Sequence, residues 1–192
     1  METVKDDTPL KILIREMMSP DERLYAVVDA ARDPYLALTP RHQLKMRTYT
    51  LFEGEMAPFL DLVAPHLVLI DLDSEYLDLW VERLGNSAGI LLLTEEVPRS
   101  LRTHLRNIFT LTDEEDNEFF FRYYDPRVLR VYLPTCKGEE AKEFFGPIRR
   151  ILIEAEGVGR LLVCEASETG VKIDERVVYP SALIASFNEE NP

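Results

Sequence analysis

NEFFFRYYDPRVLRVYLP, residues 117–134, joins a strand-like aromatic run to a helix-like segment through a sharp switch. The aromatic run from Phe119 to Tyr124 is typical of a half-buried β-strand. Asp125-Pro126 ends the run, because a proline disfavours helical geometry in the residue before it and suits the first helical position itself. Asp125 is therefore the predicted N-cap of a short helix, and Pro126 is predicted to be its first residue.

Three arginines in the same stretch are not explained by strand or helix propensity. Arg122 lies within the aromatic run, where it needs a carboxylate or a partner within reach, because partly buried charges are usually paired. Arg127 and Arg130 lie on a different side of the predicted helix from its apolar residues. One interpretation is a structural ion-pair network, in which Asp125 both caps the helix and pairs with an arginine. The other is an arginine-lined recognition corner, and the two are compatible.

A second group of arginines precedes this stretch, on a helix predicted over residues 98–111. Its apolar residues recur at helical spacing, which predicts one buried face. Arg99, Arg102 and Arg106 follow i, i+3, i+7 spacing on a neighbouring face. They either neutralise acidic residues of the same chain or face a partner. We predict that Arg99, Arg102, Arg106, Arg127 and Arg130 contact a partner protein, and that Arg122, Asp125 and Pro126 are mainly structural.

Outward from this centre, apolar strands alternate with helices along the chain. Buried-type strands are predicted near residues 23–31, 66–71 and 88–93, and a helix near 139–153. A β-hairpin is predicted from residues 160–166 and 171–178. This alternation predicts an α/β fold with a mixed, mainly parallel sheet flanked by helices and a C-terminal β-hairpin. We predict a single domain, 1–192, with a leader at 1–20, a core at 21–178 and a tail at 179–192.

Composition narrows the class of function. The chain has 192 residues and a net charge of −13, so its surface repels phosphate backbones and anionic membranes, and nucleic-acid binding is not expected. No apolar run reaches the ~20 residues of a membrane span, and no signal peptide is present at the N-terminus, which predicts a cytoplasmic protein. The two cysteines supply neither a disulfide framework nor a metal-binding spacing, and we expect no metal and no cofactor.

The strongest similarity to an enzyme motif is LVLIDLDSEYL, residues 67–77. Its Asp-x-Asp after a buried strand resembles the nucleophile loop of haloacid-dehalogenase-like phosphatases, with Asp71 as nucleophile and Asp73 as acid/base. However, no Gly-Thr follows Asp73, and no lysine occurs between Lys45 and Lys137 to neutralise a phosphoryl group. The alternative is a strand end followed by a helix N-cap, and we predict no catalytic residues.

FRYYDPRVLRVYLP, residues 121–134, resembles the signature of a bacterial family of type VI secretion effector chaperones, also called adaptors. Further segments resemble that family in the same order, and together they span roughly residues 24 to 165. These segments are YAVVDAARDP (25–34), LFEGEMAPFLDLVAPHLVLID (51–71), SAGILLLTEEVPRSLRTHLRNIFTL (87–111) and FFGPIRR (144–150).

The resemblance implies a non-catalytic chaperone that binds a secreted effector, and possibly the spike protein, and helps to load the effector onto the secretion spike. Family members commonly carry a second, helical lobe after the segment that matches FFGPIRR. Only about forty residues follow Arg150 in this sequence, so we expect a match to the N-terminal lobe alone. A general protein-interaction or scaffold domain of a secretion-linked gene cluster is the alternative function.

Overall fold

The computed structural model describes residues 8–52, 62–112, 115–157 and 159–178. In these ranges the chain forms six α-helices, one 3-10 turn, a seven-stranded sheet and a separate two-stranded hairpin. The helices are α1 (Pro9–Met17), α2 (Pro34–His42), α3 (Tyr76–Glu82), α4 (Pro98–Asn107), α5 (Pro126–Tyr132) and α6 (Gly138–Phe145). The strands are β1 (Arg23–Asp29), β2 (Thr48–Thr50), β3 (Pro65–Ile70), β4 (Gly89–Thr94), β5 (Thr110–Thr112), β6 (Glu118–Phe120), β7 (Arg150–Glu154), β8 (Arg160–Ser167) and β9 (Gly170–Val177).

The seven-stranded sheet is antiparallel, so the predicted mainly parallel sheet is wrong. Its order is β2-β3-β1-β4-β7-β8-β9, and every neighbouring pair is antiparallel. Two helical connections do join parallel strands, as the alternation indicated, but those strands are not neighbours. The connection from β1 through α2 reaches β2 on the far side of β3, and the connection from β3 through α3 reaches β4 on the far side of β1. An antiparallel strand therefore lies between the two strands of each parallel pair.

The predicted strand and helix boundaries fail around three segments. The helix predicted over 98–111 ends at Asn107, and the end of that range belongs to β5. The aromatic run is a strand only at its start, since β6 ends at Phe120, and Phe121, Tyr123 and Tyr124 are buried in non-strand backbone. The helix predicted over 139–153 ends at Phe145, because Gly146 adopts a positive φ of 50° and Pro147 follows it. The remaining residues form β7, which pairs with β4 and β8 in the sheet. The C-terminal hairpin is confirmed as β8 and β9.

The sheet separates two apolar cores. Along β1, Leu24, Ala26 and Val28 face the core formed with α1, α2 and α3, whereas Tyr25 and Val27 face the core formed with α4, α5 and α6. A strand that is apolar on both faces fits only between two such layers, which explains the unbroken apolar run in β1. Part of the predicted leader belongs to this structure, because Leu10 and Ile14 of α1 are fully buried.

None of the helices in the described ranges combines the length and apolar character needed to cross a membrane. The predicted tail, 179–192, lies outside the described residues.

Two buried tyrosines differ in what their hydroxyls contact. The Tyr76 hydroxyl donates to the carbonyl oxygen of Leu36 at 2.9 Å. Tyr123 is equally buried, and its hydroxyl has no hydrogen-bond partner among the described residues. Burying a hydroxyl without a partner costs free energy, whereas a buried hydrogen bond contributes about 1 kcal/mol.

We expect Tyr123→Phe to raise the free energy of unfolding by about 1 kcal/mol, and Tyr76→Phe to lower it by a similar amount. Urea denaturation of both variants beside the wild type measures the two shifts. Each substitution removes only a tyrosine hydroxyl, so each variant is the control for the loss of a hydroxyl in the other. A loss of stability in Tyr123→Phe as large as that in Tyr76→Phe would contradict the prediction.

Candidate protein-interaction site

The switch between the aromatic run and α5 is organised by Asp125, as predicted. Its Oδ1 accepts from the backbone N–H of Arg127 at 3.0 Å, and Pro126 occupies the first turn of the helix. The Arg127 side chain returns to the same carboxylate, with Nη2 donating to Oδ2 at 2.6 Å. Burial would raise the pKa of Asp125, but these hydrogen bonds and the nearby guanidinium outweigh it and hold the pKa below its usual value. Asp125 therefore remains ionised and anchors both the helix and Arg127.

Arg122 connects this corner to the centre of the sheet. Its Nη2 donates to Oδ2 of Asp29 at 2.6 Å, and its guanidinium lies 5.7 Å from the centroid of the Tyr124 ring. Asp29 is buried at the end of β1, and its Oδ1 also accepts from the backbone N–H of Ala31. The pair places a buried carboxylate against a guanidinium, which is the arrangement expected for a structural arginine.

The outer side of α5 borders an open groove with a volume of about 710 Å³. Its lining is mainly apolar, with Asp125 and Arg127 as its charged side chains: Phe121, Asp125, Arg127, Val128, Val131, Tyr132 and Thr135. Phe121 is buried and its ring lies 4.6 Å from the Tyr132 ring, so an aromatic pair forms a rigid wall. Val131 is 74% exposed, the highest value among the exposed large apolar side chains of the described residues.

Arg130 does not line this groove. It points to the other side of the helix, where its Nη1 donates to the carbonyl oxygen of Glu154 at 2.7 Å. Since Glu154 is the last residue of β7, Arg130 ties α5 to the sheet. Of the two arginines predicted as partner contacts on this helix, Arg127 lines the groove and Arg130 does not.

The arginines of α4 line a separate groove beside the sheet edge. Its volume is about 530 Å³, and its lining residues are Arg47, Tyr49, Val97, Pro98, Arg99, Arg102, Thr103 and Arg106. Arg102 Nε donates to the carbonyl oxygen of Thr50 at 2.8 Å, and Arg106 Nε donates to that of Leu51 at 2.9 Å. These bonds hold the chain that leaves β2, so the stripe has a structural role. The Arg99, Arg102 and Arg106 triplet is therefore brought together, in a different groove from Arg127.

Asp71 and Asp73 make local contacts. Asp71 Oδ1 accepts from the backbone N–H of Asp73 at 3.0 Å, and Asp73 Oδ1 pairs with Arg15 Nη2 at 2.5 Å. The hydroxyl of Thr94, at the end of β4, donates to the carbonyl oxygen of Pro147 at 2.7 Å. β3 and β4 end on the same side of the sheet with β1 between them, which separates their ends by about 10 Å.

In the parts of the chain that the structure describes, no three His, Cys, Asp or Glu side chains are grouped so that they could hold a metal ion.

Comparison with known protein families places the chain. A family model described as "Domain of unknown function (DUF4123)" matches residues 24–143. The chain belongs to the DUF4123 family. No match to it was found among curated proteins or among solved structures. The segment matched by DUF4123 runs from the start of β1 into α6, and it contains every residue that lines the two grooves.

Within this DUF4123 segment, Val131 and Arg47 were not predicted as site residues. A signal for Val131 was present, because RVLRVYL is apolar on more sides than a seven-residue helix needs for packing, and surplus apolar surface marks a contact site. Arg47 had no such signal. It is 52 residues from Arg99 in the chain, and only the pairing of β2 with β3 brings it to the α4 groove.

Proposed function

We propose that this DUF4123 protein is a non-enzymatic chaperone or adaptor, which binds a type VI secretion effector and helps to load it onto the secretion spike. The ordered resemblance of five segments to the effector chaperones supports this proposal. The FRYYDPRVLRVYLP segment, which carries the resemblance best, is also the one that forms the wall of the apolar groove on α5. The effector and the spike protein are the proposed partners.

The exposure of Val131 is the observation that carries the proposal. A valine that is 74% exposed beside a rigid aromatic pair contributes little to the stability of the free protein. It supplies an apolar anchor for a partner, with Arg127 and Asp125 as a charged rim on one side. Protein interfaces have this arrangement of an apolar centre and a polar border. The apolar segment of an effector would fit such a groove and be shielded from water until secretion.

A substitution of Arg127 tests this interface poorly, because Arg127 also holds the structure through Asp125. Val131→Asp is the sharper variant. It places a charge at the centre of the groove and should change the free energy of unfolding by less than about 0.5 kcal/mol. We expect it to abolish recovery of the effector or spike component in affinity purification from the native cells, as measured by mass spectrometry.

Val177→Asp is the matched control. Val177 is also exposed, at 58%, but it lies on the edge strand β9 and outside the α5 groove. The control should retain the same toxin-type effector or spike protein as the wild type. Recovery of the same partners by Val131→Asp would overturn the α5 groove as the interface. Recovery of no secretion component by any of the three proteins, from cells that express the secretion system, would overturn the proposed function.

A further inference from the structure

We infer that the α4 groove is a second binding site, which takes an acidic, carboxylate-rich segment of a partner protein. The groove is bordered by Arg47, Arg99, Arg102 and Arg106, and by Tyr49 on β2. The inference rests on the proposed function, because it names the chemistry of a second contact with the partner protein. Binding of an acidic peptide is nevertheless measurable without any effector. A failure of this inference can therefore be distinguished from a failure of the proposed function.

Two of the four arginines have side chains that the fold does not use. Arg47 and Arg99 are both exposed, and within the described residues neither guanidinium makes a hydrogen bond or an ion pair. They approach the groove from opposite sides, one beside the edge strand β2 and the other from the first turn of α4. A ligand between them would meet unsatisfied donors on each wall.

The other two arginines are held in place by the backbone. Arg102 Nε is bonded to the Thr50 carbonyl oxygen, and Arg106 donates through Nε to Leu51 and through Nη2 to Phe52, the latter at 2.6 Å. A guanidinium that is fixed through Nε keeps a defined orientation, so the base of the groove keeps its shape when a ligand enters. Arg102 and Arg106 thus form an ordered base for the groove.

Charge selects an anion with carboxylate geometry. No acidic side chain is among the residues that line the described groove, although the chain as a whole has 35 acidic and 22 basic residues. Among the described lining residues the charged side chains are all arginines, in a chain that is negative overall. Carboxylates accept two parallel hydrogen bonds from one guanidinium, and a segment with several Asp or Glu residues would engage Arg47 and Arg99 at once.

A peptide fits this surface better than a nucleic acid. A phosphate backbone continues beyond the groove in both directions, where it would meet the field of a protein with a net charge of −13. In a short acidic segment, all of the negative charge would lie within the groove, beside the arginines. Tyr49 and Val97 add apolar contact for the methylene groups of glutamate side chains.

The test measures fluorescence anisotropy of a fluorescein-labelled octaglutamate peptide with the full chain at low ionic strength. We expect saturable binding that weakens as salt is added, because the contacts are exposed charge pairs. The double variant Arg47→Gln/Arg99→Gln should bind about tenfold more weakly, since it removes two such pairs. Neither side chain has a partner to lose in the described residues, so the melting temperature should not change.

The matched control is Arg160→Gln/Arg176→Gln, which changes the net charge equally on β8 and β9. It should bind octaglutamate as the wild type does. An equal loss of binding in the control, or no binding by the wild type, would overturn the inference and leave effector capture through Val131 untouched. Tighter binding of a labelled octathymidylate than of octaglutamate would also overturn it, in favour of a phosphate-bearing ligand.

Discussion

Gly89→Ala should be among the most destabilising single substitutions in this protein, with a loss of about 3 kcal/mol in the free energy of unfolding. Gly89 begins β4 and lies opposite Val28 of the central strand β1. A Cβ at this position would overlap the carbonyl oxygen of Val27 and lie 3.0 Å from the Cα of Val28. These are backbone atoms of paired strands, so they cannot rotate away as a side chain could.

Thermal unfolding followed by circular dichroism measures the effect, and the melting temperature should fall by about 10 °C for a chain of this size. Gly157→Ala is the control, because Gly157 has a positive φ of 95° but no atom of the described residues lies within 4 Å of an added Cβ. That variant carries only the conformational cost, about 1 kcal/mol. If the two variants lost the same stability, close strand approach at Gly89 would not be the cause.

Glu154→Ala should lower the free energy of unfolding by about 2 to 3 kcal/mol. The Glu154 carboxylate is buried at the end of β7, where Oε2 accepts from the backbone N–H of Ser87 at 2.9 Å and of Gly85 at 3.1 Å. Alanine removes the acceptor and leaves the buried N–H of Ser87 unpaired. Urea denaturation at pH 7 measures the loss, and Glu154→Gln, which keeps an acceptor oxygen, should lose clearly less.

The same residue predicts a pH dependence. Burial raises the pKa of Glu154, and the hydrogen bonds from Ser87 and Gly85 and the nearby arginines offset this only in part. The folded state therefore holds the proton more tightly than the unfolded state. The stability that the fold gains from protonated Glu154 is fully present below the ordinary glutamate pKa of about 4.3. It is lost as the pH rises through the raised, folded-state pKa.

Glu154→Gln has no proton to release at this position, so its free energy of unfolding should lack the pH dependence that Glu154 causes. We expect wild-type stability to fall relative to that of Glu154→Gln as the pH is raised from about 4 towards 7. Denaturation curves of both proteins across that range measure the difference. Asp125 acts in the opposite direction in both proteins, because its lowered pKa makes its contribution disappear as the pH falls. A constant difference between wild type and Glu154→Gln would show that Glu154 titrates normally.

Local chemistry was readable from the sequence wherever partners are close in the chain. The Asp125-Pro126 N-cap was predicted correctly, because the cap depends on residues two positions apart. The β8–β9 hairpin follows from a short turn between two β-rich runs. The apolar character of β1 on both faces predicted helices on both sides of the sheet. Each of these inferences uses a backbone or packing rule that acts over a few residues.

Strand direction and the two grooves were decided only by tertiary structure. A helix between two strands indicates that they are parallel, but it does not say whether a third strand lies between them, and here β3 and β1 occupy those positions. The carboxylate that pairs with Arg122 is Asp29, 93 residues away, and the groove on α4 needs Arg47, which precedes the edge strand β2. Such contacts depend on which surfaces bury the most apolar area together, a property of the whole chain that no local pattern contains.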